Sequence, residues 1–180
     1  DYARDVNDYP EMFKAYEELI ALQPDSIDNY LSFASEMFNY LFKDSETKPA
    51  DYDAIASKIE ANAKKALAAN YEPYNSNLIL AQLYFNQGLD LVTEYDKIKA
   101  STKPDDVKKK NDLKAKAIAK YDLSIPYAEK IANDLVAKGT LKIQEKAALK
   151  NMYIMLGDMY TFKGDKVKAA EYDKKYEGVK

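Results

Sequence analysis

Carboxylates and lysines are the reactive side chains in greatest supply in this 180-residue chain, which has 30 Asp and Glu, 27 Lys and Arg and a formal net charge of -3. Asp105-Asp106, or Asp51 with Asp53, have the residue types for general acid–base or divalent-metal chemistry. Their spacing works against it, because adjacent residues on a helix do not converge and no loop carries a calcium-binding pattern. They read as solvated helix starts. The run from Lys108 to Lys116 has the charge to touch phosphate or an acidic partner. Asp105, Asp106 and Asp112 stand beside it, however, and Arg4 is the only arginine, so it reads as a solvated helix face. Gly157-Asp158 and Gly164-Asp165 do not form phosphate loops, since neither lies in a glycine-rich segment after a strand. There is no His and no Cys, which removes thiol and imidazole nucleophiles, disulfides, the usual zinc sites and imidazole bases. The expectation is a chain that is not an enzyme and holds no metal or cofactor. Its near-balanced charge argues against a nucleic-acid partner.

The elements that must position any functional residue are helical. Gly 5 and Pro 6 amount to about half the usual share, while Ala, Leu, Lys and Glu abound. Sixteen Tyr and six Phe supply the bulk of a core in a chain of mean hydropathy -0.56, so packing must rely on amphipathic rings. No run of about 18 apolar residues occurs, so no membrane-spanning segment is expected. The chain starts at Asp1 without an initiator Met, which leads to the expectation of one domain over 1–180 that is the C-terminal part of a longer precursor. Absence of Cys fits an oxidising compartment and the cytoplasm equally.

Punctuation by Asp, Asn, Ser, Pro and Gly predicts about seven helices. They run from about Tyr9 to Gln23, Ser26 to Lys43, Asp51 to Asn70 and Tyr74 to Ala100. Another spans Pro104 to Lys138, interrupted or kinked near Pro126, followed by Leu141 to Lys163 and Lys166 to Tyr176. Ser26 and Thr140 are the expected caps of the second and sixth. No useful strand alternation appears, so the chain is expected to be all-α.

Three of these helices share one template. The order Tyr30, Phe33-Ala34, Met37 recurs as Asn77, Leu80-Ala81, Tyr84 with Gly88 beyond it, and as Tyr153, Leu156-Gly157, Tyr160 with Gly164 at the same offset. The small residue lets a paired helix approach, and the bulky residue and the aromatic fill the space above and below. Leu149, Tyr153 and Gly157 also fit the template one helix face earlier. The Gly164 register is preferred because a turn and a short amphipathic helix containing Ala169 and Tyr172 follow it.

This pattern resembles the tetratricopeptide repeat. Asn7-Asp8-Tyr9, Met12, Tyr16 and Pro24 look like the second helix of a unit whose first helix is missing or reduced. The spacing departs from the family's ~34-residue period, with 47 residues from Tyr30 to Asn77 and 76 from Asn77 to Tyr153, so elongated central hairpins are expected. The resemblance implies antiparallel hairpins stacked as a right-handed superhelix, a scaffold that binds a protein or peptide partner along its concave face. Its groove residues would be Leu31, Ser35, Phe38, Asn39, Asn75, Leu78, Gln82, Phe85, Ile154 and Asp158. Amides there would bond a peptide backbone, and Phe38 and Phe85 would offer apolar contact. The alternatives are a structural or self-assembly module built on the two long helices, or a glycan-capture component of a surface uptake system. The likeness is closest to Lys-, Asn- and Tyr-rich tetratricopeptide proteins of bacteria, often exported to the periplasm or cell surface, and it implies such a location, with the cytoplasm as the alternative.

Relatives that clamp the acidic C-terminal tails of chaperones place Lys, Asn and Arg along the groove, where this chain has Leu31, Leu78 and Ile154. An acidic C-terminal peptide is therefore expected to give no saturable heat in calorimetry; micromolar binding would overturn that exclusion.

Overall fold

The first helix begins where Asp8 turns its carboxylate back onto the chain and accepts the Glu11 N–H at 3.3 Å, with Pro10 placed where its missing N–H costs nothing. The computed structural model describes residues 8–44 and 47–179; Arg4 and Asn7, named above, lie outside them. The described residues form seven α-helices: α1 (Tyr9–Leu22), α2 (Ile27–Asn39), α3 (Tyr52–Ala68), α4 (Pro73–Ile98), α5 (Pro104–Ala137), α6 (Ile143–Lys163) and α7 (Lys166–Gly178). Among the described residues there is no strand, and no helix is long and apolar enough to cross a membrane. The fold is all-α, with helices packed against their neighbours in sequence, α1 on α2, α2 on α3, α5 on α6 and α6 on α7.

Several ends differ from the sequence expectation. Helix α2 does not run to Lys43 as an α-helix but widens into a π-helical turn, Tyr40–Asp44. Ser26 caps α2 by position, without a side-chain bond. Thr140 does not cap α6. The cap is Lys142, whose N–H donates to Glu145 Oε2 at 2.9 Å, and the Lys138 ammonium on the same carboxylate holds its pKa below the usual value. Pro126 does not interrupt α5. It lies on an exposed face, where the carbonyl that loses its N–H partner can bond water instead.

The chain divides into two compact units, Asp1–Leu83 and Tyr84–Lys180, with the boundary inside α4. In the first, an aromatic cluster joins α1 to α2. Tyr16 stacks on Phe33 with centroids 5.2 Å apart, and Phe13 packs on Phe33 and Tyr40 at 5.7 and 5.5 Å. The α2–α3 contact is closer, because Ala34, Ala63 and Ala66 put methyl groups between the axes and are fully buried with Met37 and Ile59. One backbone carbonyl gathers this corner. Pro24 O accepts the Tyr30 hydroxyl at 3.0 Å and the Lys65 ammonium at 3.4 Å, and that ammonium sits 3.6 Å from the Tyr30 ring centroid.

In the second unit the α4–α5 contact turns on Gly88. A Cβ built there would stand 2.4 Å from Tyr121 Cε1. That ring is buried and packs against Phe85 and Phe162 at 5.9 and 5.8 Å. Where α4 gives way to α5, the Lys110 ammonium donates to the carbonyls of Lys99 and Ser101 at 3.1 and 3.2 Å, placing a cation on the negative end of the α4 dipole. The Ser101 hydroxyl donates to Asp106 Oδ2 at 2.6 Å. Three helices meet at Glu129 of α5, whose Oε1 accepts the hydroxyls of Tyr160 from α6 at 3.1 Å and Tyr172 from α7 at 2.8 Å. Burial first, then the Glu129 bond, raises the Tyr172 pKa. Gly164 ends α6 in the left-handed region at φ 82, and Asp165 caps α7 by accepting the Lys168 N–H at 3.0 Å.

Burial of a large side chain contributes about 1.5–3 kcal/mol, whereas exposed pairs such as Lys64–Glu60 and Lys175–Glu171 contribute ~0–1 kcal/mol each. Ring burial therefore governs stability. Gly88→Ala tests this. The change ordinarily favours a helix by about 1 kcal/mol, but here it forces a methyl into a packed ring. The expected outcome is a loss of about 1–3 kcal/mol, read from denaturant unfolding monitored by circular dichroism. An unchanged or raised midpoint would show that Tyr121 swings aside freely.

Candidate functional site

Helices α2 and α4 each carry a stripe of mixed polar and apolar residues beside the core stripe that packs them. On α2, Asp28, Leu31, Ser32, Ser35 and Asn39 follow at three- and four-residue steps, so their side chains share one face. On α4, Asn75, Leu78, Ile79 and Gln82 do the same. These stripes line one open cleft of about 510 Å³ in the first unit. Its α2 wall also includes Glu36, Phe38 and, from the π-helical turn, Lys43, and Tyr16 of α1 reaches it.

The turn between α3 and α4 closes one end with Tyr71 and Glu72. Here Asn70 and Glu72 take φ of 52 and 41, left-handed values unusual for side chains other than Asn, Asp or Gly. The Tyr71 hydroxyl donates to Asp28 Oδ1 at 3.0 Å, and Asn75 Nδ2 donates to Glu72 Oε2 at 3.3 Å. The Asp28 hydrogen bond, burial, and the charges of Asp28 and Glu72 raise the Tyr71 pKa, in that order. Beneath this end, Ser76 Oγ donates to Tyr71 O at 3.0 Å and Asn77 Nδ2 to Pro73 O at 2.6 Å. Both side chains are buried, so the turn is anchored from inside.

The cleft brings together seven of the expected groove residues, Leu31, Ser35, Phe38 and Asn39 from α2 with Asn75, Leu78 and Gln82 from α4. It does not include Phe85, Ile154 or Asp158, which belong to the second unit. Phe85 is half-buried and its ring faces Tyr121. Ile154 is 47% exposed on α6. One correction concerns apolar contact: Phe38 and Leu31 are each only 7% exposed. Large apolar side chains at the edge of a core stripe lie down along their own helix, here Phe38 on Phe42 one turn further along at 4.8 Å, so these two form a floor rather than standing proud as handles. Tyr16, Asp28, Ser32, Glu36, Lys43, Tyr71, Glu72 and Ile79 were not foreseen. Extending the Ser35 stripe by one or two turns finds Ser32 and Asp28, whereas no periodic signal marks Tyr71 and Glu72, which arrive through a turn.

Other charged candidates are spread out. Asp51 caps α3 by position and Asp53 is exposed, Asp105 is exposed, and Asp106 is engaged with Ser101. A smaller groove of about 360 Å³ in the second unit lies among Val136, Leu141, Leu149 and Tyr153, with Lys146 and Lys175 at its edge. The chain matches no family model, no curated protein and no solved structure.

Asp158 meets Asp173 of α7 across Gly157, where a Cβ would lie 3.4 Å from Asp173 Oδ1. Burial, then the Asp173 charge, raises the Asp158 pKa, and Asp158 in turn adds to the burial that pushes Tyr121 up to about 12. A carboxyl whose pKa rises on folding favours the folded state below its ordinary value, and that contribution is lost as pH rises through the raised value. Asp158→Asn is therefore expected to stabilise the fold at pH 7 by less than about 1 kcal/mol given its exposure, seen as a higher melting temperature, and to change little near pH 3. Equal shifts at both pH values would remove the charge explanation.

Proposed function

We propose that this chain is a non-catalytic helical-repeat scaffold, a divergent relative of the tetratricopeptide type, and that its first-unit cleft holds an extended segment of a protein partner. The observation that carries this reading is the convergence of seven groove residues, chosen by their position on the repeat template, in one cleft. Its chemistry fits a peptide backbone. Asn39, Asn75 and Gln82 each carry a donor and an acceptor, as a peptide group does, while Leu31, Leu78 and Ile79 offer a floor for alternate side chains. The packed template residues beneath make the walls rigid. Rigidity lowers the ordering cost of binding.

A displayed library of random heptapeptides, panned on the chain and on a Ser35→Trp variant that fills the cleft, tests this. Enriched peptides are expected to bind the parent chain with a Kd of about 1–100 µM and to lose at least tenfold on the variant, with circular dichroism unchanged. Absence of enrichment, or equal binding to both, would defeat the reading.

A further inference from the structure

The cleft is electrically uneven along its length. Helices α2 and α4 begin at the same end of the cleft, where the hydroxyl of Tyr71, just before α4, donates to Asp28 at the start of α2 and Glu72 lines the wall. Asn39 and Gln82 lie ten or eleven residues further along each helix, ~15 Å away. Among the described residues that line it, the starting end has Asp28 and Glu72 and no cation. The finishing end has Lys43, with Glu36 about two helical turns before it. The amides occupy the length between.

We propose, resting on the peptide-binding reading above, that the cleft selects an extended peptide segment carrying an Arg or Lys side chain, seated against Asp28 and Glu72, whose following residues run over Leu31 and Leu78 toward Asn39 and Gln82. Both carboxylates are pre-positioned. Each accepts one bond from a protein donor, Tyr71 or Asn75, and a carboxylate has about four acceptor positions, so each keeps capacity for a cationic donor. A planar guanidinium presents several N–H groups at once and is weakly hydrated, which suits two carboxylates at one cleft end better than a compact ammonium does. The ~15 Å between the ends accommodates about five extended residues at 3.3 Å each. A segment ending in carboxylates would meet the same two charges as repulsion, consistent with the expected indifference to acidic tails.

The sequences recovered from the heptapeptide library provide the test. Arg or Lys is expected to be enriched at one position among peptides retained by the parent chain, and that enrichment is expected to vanish on an Asp28→Asn/Glu72→Gln variant, whose amides preserve the Tyr71 and Asn75 contacts. For one recovered peptide, replacing its Arg or Lys by norleucine should weaken binding about tenfold on the parent chain, the scale of one hydrogen-bonded charge pair. On the double variant the same replacement should matter less than threefold, and 0.5 M salt should narrow the gap on the parent chain. Peptides enriched without a basic residue, and lost on Ser35→Trp, would overturn the charge selection while leaving the peptide-binding reading intact. Basic preference that survives Asp28→Asn/Glu72→Gln would place the cation elsewhere and overturn this seat. No enrichment on any form would overturn both.

Discussion

Close approach of helices against aromatic rings is the constraint from which the rest of this structure follows. With few β-branched residues and many tyrosines, the chain fills much of its interior with large flat side chains, and these pack only if something very small faces them. Gly88 meets Tyr121 with no room for a methyl. Ala34, Ala63 and Ala66 hold α2 and α3 together with no exposed surface. Dispersion contacts are weak singly and strong in number, so a core of rings requires close contact over wide areas, and small residues permit it.

Tyrosine brings a second requirement, because each buried hydroxyl needs a partner. Several of these hydroxyls find partners where elements converge. Pro24 O receives Tyr30 and Lys65 at the corner of α1, α2 and α3. The Glu129 carboxylate receives Tyr160 and Tyr172 from two other helices, and Lys168 donates to the Tyr160 hydroxyl at 3.0 Å. Such bonds add modest net stability, but leaving one unmade is costly, so they select one packing of the rings over near alternatives. The same logic reaches the cleft, where the Tyr71 hydroxyl that anchors its turn also orients Asp28.

The cleft is thus a by-product of core packing put to use. Rotating a helix so that its small and aromatic stripe faces inward turns the adjacent stripe toward the cleft, and on α2 and α4 that stripe sets serines, amides and a carboxylate among Leu31, Leu78 and Ile79. Its floor is the edge of the core itself, Leu31 and Phe38. Substitutions that loosen the core would therefore be felt in the cleft before they unfold the chain, since wall and core share the same helices.

Helix number, most helix ends within a few residues, and the burial of the template positions were legible in the sequence, because they depend on local periodicity and on which side chains can share a helix face. Tyr30, Leu80, Ala81, Tyr84, Leu156 and Tyr160 are all buried, as the repeated pattern required. The partition of the cleft residues was not legible. Local spacing places Leu31, Phe38, Leu78, Phe85, Ile154 and Asp158 in equivalent positions, but which of them gather depends on how each helix turns against its neighbours. The π-helical turn that carries Lys43, the left-handed turn that delivers Tyr71 and Glu72, and the unbroken passage of α5 through Pro126 likewise reflect packing that overrides local preference. By itself the sequence determined an all-helical chain with ring-and-small-residue seams, because side-chain volume and period act over a few residues. Only the tertiary structure decided which polar stripes face each other across a cleft and where its charges lie, because those depend on contacts between residues some forty positions apart.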